Sequence, residues 1–301
     1  MKQLVNLQRF FLVSHILAFV FGLAGLLIVL PNPELLASLG TLGQKAFGWS
    51  MSGGGVINIL LGTVAVAIFA YRTLGVWQWL TFMIPAIFLS LGSELLGTST
   101  GFPFGEYGYL SSLGYKIGGL VPFTVPLSWF YMGFTCYLLA RCAIDATIKP
   151  GSPFGFLRLV LGVIIGALLL TSWDFALDPA MSQSAYPFWH FGQVGSFFGT
   201  PYRNFLGWIA TGALFMTVAA LFWQKTPIVL SRPQLGFLLV VYTSNIAFSA
   251  VITVISAGLG IPVGLSVLLG VIPALILCWM ASLVNGEVST EKTSPSSLAF
   301  K

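Results

Sequence analysis

The sequence predicts an all-α, polytopic integral membrane bundle of about eight transmembrane helices, and three observations predict it. Charged residues make up only 7% of the 301 positions and hydrophobic ones 57%, whereas an ordinary soluble domain carries roughly 25% charge. The apolar residues gather into runs long enough to cross a hydrocarbon core about 30 Å thick. Between the runs, basic residues crowd one side of the threaded chain, as the positive-inside rule requires.

The first run, 10–30, exceeds the roughly 7–15 residues of a signal-peptide core, and no small-residue cleavage site separates it from Pro31. It is therefore read as a helix. Runs 54–71, 76–96, 121–144, 154–177, 204–223, 235–257 and 261–283 complete the set. Residues 1–286 then form a single transmembrane domain, and 287–301, with its Ser, Thr and Pro, reads as a short disordered cytoplasmic tail. Lys2, Arg9, Arg72, Arg141, Lys149, Arg158, Lys225, Arg232, Lys292 and Lys301 fall on the side of the N-terminus, against Lys45, Lys116 and Arg203 on the other. The N- and C-termini are accordingly predicted to be cytoplasmic. The net charge of +5 follows from this bias, which points to the lipid bilayer as partner and to no nucleic acid.

The acidic residues distribute the opposite way. Glu34, Glu94, Glu106, Asp174 and Asp178 lie at or beyond the non-cytoplasmic ends of the spans, most of them around two long connections, 97–120 and 178–203. Segments such as Phe102-Pro-Phe-Gly-Glu-Tyr-Gly-Tyr109 and Tyr186-Pro-Phe-Trp-His-Phe-Gly192 are too apolar for open water and too broken by Gly and Pro to span. They are predicted to fold back on the bundle as a lid or re-entrant element. The connections also resemble each other: Glu94 aligns with Asp174, Phe102-Pro-Phe with Tyr186-Pro-Phe, and the Pro122…Trp129 segment with Pro201…Trp208, at offsets of 80, 84 and 79. This suggests a parallel repeat of spans three–four and five–six, with a shared site between the halves.

Carboxylates are the candidate chemistry. Glu94 lies near the end of an apolar run, where an acid marks a functional site by default, although an interfacial residue reaching headgroups would look the same. Asp174 and Asp178 are four apart and share one helical face if the fifth helix continues to Pro179. That proline disfavours the helical region at Asp178, so the second acid is expected to mark the helix end. Two such carboxylates repel, and one holding a proton is a potential donor; a cap and a partner for Arg203 is the alternative. Glu106 either lines a pocket or faces water. His190, between Trp189 and Phe191, reads as a hydrogen-bonding group beside a binding site more readily than as a base. His15 reads as a bundle contact, and Asn204 as an orienting amide or a helix start. Cys136, Cys142 and Cys278 lack paired metal spacing. Gly162-xxx-Gly166 and Gly260-xxx-Gly264 suit close helix packing. No nucleotide loop, His cluster or Ser/His/Asp arrangement is present, so no metal and no cofactor is expected, and acid–base chemistry remains.

The combination of Glu94, Thr100-Gly-Phe-Pro-Phe-Gly-Glu-Tyr-Gly-Tyr109, Val121-Pro-Phe-Thr-Val-Pro-Leu-Ser-Trp129, Asp174-xxx-Asp178-Pro179 and Gly199-Thr-Pro-Tyr-Arg-Asn-Phe-Leu-Gly-Trp208 resembles the membrane carotenoid hydratases. These are the cyanobacterial γ-carotene 1',2'-hydratases and the archaeal bisanhydrobacterioruberin hydratases, and the likeness extends over roughly residues 10–285. The resemblance implies addition of water across the terminal double bond of an acyclic carotenoid end, giving a tertiary 1'-hydroxyl on the way to myxol-type glycosides. It also implies a bacterial plasma or thylakoid membrane and association with other carotenoid-pathway enzymes. In that reading Asp174, Asp178, Glu94 and Glu106 are the catalytic candidates. Tyr107, Trp129, Trp173, His190, Asn204 and Trp208 are the substrate-binding ones, and the end group enters between spans three to six. The rival readings are a membrane transporter of a lipophilic or proton-coupled solute and a prenyltransferase-like carotenoid enzyme. The latter needs two Asp-rich clusters for magnesium diphosphate, where only the Asp174/Asp178 pair is found.

Overall fold

The computed structural model describes residues 2–149 and 151–291, the side chains of 284–291 excepted. The chain is almost entirely helical. Helix α1 (Lys2–Ala24) continues through a π turn (Gly25–Val29) to the short α2 (Pro33–Ser38) and the long α3 (Gly40–Leu74). Next come α4 (Val76–Thr100), α5 (Thr124–Thr147), α6 (Gly155–Ser182), α7 (Tyr202–Phe222) and α8 (Arg232–Ile255). A broken last span joins α9 (Gly260–Ser266) through a π turn (Val267–Val271) to α10 (Ile272–Glu291). Among the described residues, eight segments are long and apolar enough to cross a membrane, so a bilayer threaded by all of them has the start of the first and the end of the last on one side. The tail read from the sequence starts at 287. Helix α10 runs to Glu291, and residues 292–301, with Lys292 and Lys301, lie outside the described residues.

Two boundaries differ from the apolar pattern. Helix α3 begins at Gly40, well before the run at 54, because a helix already nucleated gains a backbone bond with each added residue even where the side chains are too polar to register as a span. Helix α6 passes through Pro179 to Ser182 instead of ending at Asp178. A proline inside a helix forfeits one backbone bond, and the turn beyond it closes normally, with Gln183 N–H on the Pro179 carbonyl at 3.0 Å.

Helix α5 is the axis of the bundle, buried along nearly its whole length. Helices α4, α5, α6 and α7 form a closed ring, each packed on the next and α7 on α4. Outside it stand α1, α3, α8 and α10, of which α3, α8 and α10 also reach α5. The connections after α4 and α6 meet over the ring: β1 (Tyr107–Tyr109) pairs antiparallel with β4 (Trp189–Phe191), and β2 (Lys116–Ile117) with β3 (Val121–Pro122). A two-fold axis along the membrane normal, relating α4–α5 to α6–α7, would generate this ring and this strand pairing.

Polar locks hold the helices in register. At the end away from the strands, Asp145 accepts from Arg141 Nε at 2.7 Å, Arg158 Nη1 at 3.0 Å and the Ile228 amide at 2.8 Å. All three charged side chains are buried, so Arg141 and Arg158, which the sequence shows only as basic residues of the cytoplasmic side, act as clamps. In the middle, His15 Nδ1 lies 2.9 Å from the Asn58 carbonyl and Nε2 3.3 Å from Asn245 Nδ2, while Asn245 Oδ1 accepts from Tyr131 at 2.8 Å. Gly62 makes room for this, since a Cβ there would lie 2.9 Å from the His15 ring. Gly166 likewise lets α6 approach Tyr137 and Met216, whereas Gly260 and Gly264 face open space and bring no helix close.

Candidate active site

The site begins with Glu94, one residue short of a full turn before the small residues that end α4. Its carboxylate is buried and faces donors. Tyr107 OH donates to Oε2, Tyr109 OH donates to Oε2 at 2.8 Å, and Trp129 Nε1 donates to Oε1 at 2.8 Å. The two tyrosines reach one carboxylate because alternate residues of an extended strand share a face and both lie on β1. Burial first, then the nearby Glu94 charge, pushes both phenols well above the ordinary tyrosine range, so they act as donors.

The same parity sorts the facing strand. Tyr109 is paired with Trp189, and Tyr107 with Phe191; all four line one cavity. Gly108 is paired with His190 on the opposite face, and His190 is exposed. Glu106 is also exposed, next to Gly192, whose amide bonds the Glu106 carbonyl at 2.7 Å. The strand pair thus carries its aromatics inward and turns Glu106 and His190 away from the other candidates.

Across the cavity, Asp174 and Asp178 lie one turn apart on α6, both buried. Asn204, at the start of α7, donates through Nδ2 to Asp174 Oδ2 at 2.7 Å and to Asp178 Oδ2 at 2.6 Å. Trp189 Nε1 donates to Asp178 Oδ1 at 3.2 Å, while Asp174 Oδ1 is buried with no hydrogen-bond partner. Arg203 is exposed and stands over the Phe102 ring, 5.9 Å from its centroid. The ion pairs among the described residues are those of Asp145.

The cavity has a volume of about 600 Å³, within the usual range for small-molecule sites. Glu94, Asp178 and Asn204 open onto it, and Asp174 sits behind them. Trp129, Trp173 and Trp208 form its inner wall: Trp129 and Trp208 lie 4.4 Å apart between centroids, and Trp208 meets Trp173 edge-on at 5.8 Å. Trp173 Nε1 is anchored on Ser249 Oγ at 3.2 Å. At the other pole stand Asn58, Tyr131 and Asn245. The walls are not confined to spans three to six, because α1, α3 and α8 contribute Ser14, Gly54 and Phe248. Sequence reasoning passed over Tyr109, Trp189 and these outer helices. The tyrosine could have been found from the Tyr-Gly-Tyr alternation, and α1 and α3 from the polar Ser14, His15 and Asn58 inside apolar runs.

Similar proteins can be set beside this geometry. The profile of a family described as carotenoid biosynthesis protein matches residues 54–273. Bisanhydrobacterioruberin hydratase of Haloarcula japonica is 32% identical over 130 residues, a match covering 42% of this chain and 39% of that protein. The matched region thus spans well under two thirds of the relative. No solved structure matches.

Proposed function

This chain belongs to the carotenoid biosynthesis protein family, and from that premise we propose that it hydrates the terminal C1'=C2' double bond of an acyclic carotenoid end group. The observation that carries the reading is the pairing of two kinds of carboxylate site in an aromatic-walled, apolar cavity. Three donors face Glu94, a set suited to an ionised acceptor. Asp174 and Asp178 share the single amide of Asn204, an arrangement in which two like charges are costly and one shared proton relieves them.

Protonation of the alkene at C2' gives a tertiary cation at C1'. Water then adds at C1' and gives up a proton, so that the sum is alkene plus water to tertiary alcohol. In this scheme Asp178, backed by Asp174 through Asn204, delivers the proton at C2', and Glu94 takes the proton from the attacking water. The π faces of Trp129, Trp173 and Trp208 stabilise the cation, each by about 2 kcal/mol when desolvated. Catalysis needs the acid and the base to face the same end group, and both open onto one cavity. No cofactor is required by this chemistry.

The end group of γ-carotene fits the proposal, with a 1'-hydroxy product of the myxol type. The likeness to a hydratase of bisanhydrobacterioruberin supports the same class of reaction. The test is chromatography and mass spectrometry of pigments from a bacterial host making γ-carotene or lycopene, with and without the protein. A pigment heavier by one water with an unchanged chromophore supports hydration. Unchanged pigments, with the protein present in the membrane, reject it and favour transport.

A further inference from the structure

The cavity is closed above and below. Its outer end is roofed by the β1–β4 pair, reinforced by Leu110 N–H on the Phe188 carbonyl at 2.8 Å and Phe188 N–H on the Met181 carbonyl at 2.7 Å. Below lie the layer of Tyr131, Asn245 and His15 and, within the α4–α7 ring, a plug of aromatics packed edge-on around Phe82. Sideways it is open. Four of its lining residues are also exposed large apolar side chains: Leu17 and Phe21 on α1, Trp49 and Ile57 on α3. A residue that both lines a cavity and faces outward stands at its mouth, and the outward side of α1 and α3 in a spanning bundle is lipid.

The mouth is bare on one side. Helix α3 carries Gly53, Gly54 and Gly55 in succession, although each glycine costs a helix about 1 kcal/mol relative to alanine. Gly55 has a packing reason: a Cβ there would come within 3.1 Å of Leu113 and 3.2 Å of the Ser112 carbonyl. Gly54 has none of that kind. A Cβ on it would meet only Ser50 of its own helix, at 3.6 Å, and Gly54 lines the cavity. What its missing side chain leaves is free width in the passage from lipid to Glu94 and Asp178.

We propose that a linear polyene enters sideways from the bilayer between α1 and α3, its shaft crossing the bare face of α3 at Gly54 between Phe21 and Trp49, so that only the end group is enclosed. The inference rests on the proposed substrate class. A carotenoid is a rod comparable in length with the roughly 30 Å hydrocarbon core, so most of it stays outside a cavity of 600 Å³. Gly54 then selects for an unencumbered shaft at that distance from the reacting end.

The experiment measures the lycopene retained per protein after purification from a lycopene-making host, by visible absorbance, for wild type and three variants. Gly54→Phe fills the passage, Leu17→Trp narrows its mouth from an exposed position, and Ile276→Trp adds the same bulk at a lipid-facing site on α10 away from the cavity. Melting in detergent identifies any variant that fails to fold, and Leu17→Trp then carries the test alone. The expected result is at least a fivefold loss of retained pigment for Gly54→Phe and Leu17→Trp and wild-type retention for Ile276→Trp. Retention by folded Gly54→Phe and Leu17→Trp equal to wild type, or retention by none of the proteins, overturns the route. Hydration is scored separately: pigment bound but never hydrated by wild type rejects the enzymatic reading and leaves the route standing.

Discussion

Removing the Tyr107 hydroxyl isolates one hydrogen bond to the carboxylate that the mechanism uses as base. Tyr107→Phe keeps the ring, which packs edge-on against Tyr109 at 5.6 Å and Phe104 at 5.8 Å, and deletes only the donor to Glu94. A hydrogen bond to a charged partner contributes about 1.5–3 kcal/mol. If that is felt in the transition state, at 1.36 kcal/mol per decade, kcat/KM falls roughly 10- to 150-fold. Tyr109→Phe loses a bond of the same kind. The double variant falls by more than the product of the two, because in each single variant the remaining donor tightens on the carboxylate and offsets part of the loss, which the double variant cannot do. The assay is pigment hydration by protein reconstituted in vesicles, repeated in a Glu94→Gln background, where Tyr107→Phe should change the residual rate less than about threefold. Wild-type kcat/KM for a folded Tyr107→Phe, or the same fold-loss in both backgrounds, would refute the role of the hydroxyl.

Other outcomes follow from the same geometry. Asp178→Asn, which keeps shape and burial but removes the acid, should reduce turnover by at least about 100-fold, while Glu106→Gln and His190→Ala on the outer strand face should stay within about threefold by the same pigment assay. Asp145→Asn leaves Arg141 and Arg158 buried around an uncharged partner and should destabilise the protein by about 3–5 kcal/mol, read from denaturant unfolding in mild detergent. Gly62→Val places methyl groups against the His15 ring and should cost about 1–3 kcal/mol by overpacking, lowering the melting midpoint. The Tyr107 and Tyr109 phenols are raised above the unfolded value of about 10. Folded protein therefore keeps protons that the unfolded chain releases: their contribution is complete below about pH 10 and declines as pH rises further. Thermal melts above that pH should fall more steeply for wild type than for the Tyr107→Phe/Tyr109→Phe variant.

The spans were legible because bilayer length imposes a run that few other structures need, and the eight predicted runs each fall largely within a described helix. What the apolar pattern misses is helix without apolar runs, as at 40–53, and helix that survives a proline, as at Pro179. Glu94, Asp174 and Asp178 stood out as acids among apolar residues, and Asn204, Trp129 and Trp208 through their places in the repeated segments. Glu106 and His190 could not be separated from them by composition. Their exposure is a matter of strand parity, and the pairing of β1 with β4 is a contact between residues about 80 positions apart that the two segments do not announce. The same holds for the Asn245 contacts to Tyr131 and His15, where the partners are distant in the chain. Arg141 and Arg158 read as topology signals because a basic residue near a helix end looks the same whether it meets headgroups or a buried aspartate.

The most direct test of the central claim is isotopic: purified protein in lipid vesicles, given lycopene under anaerobic conditions in water enriched in both oxygen-18 and deuterium, with the product weighed by mass spectrometry. Hydration by this route gives, for each end converted, one heavy oxygen and one deuterium that does not wash out in ordinary water, with both absent from the Asp178→Asn protein. A product whose oxygen does not come from water, or no labelled product from folded wild-type protein holding the pigment, would contradict it.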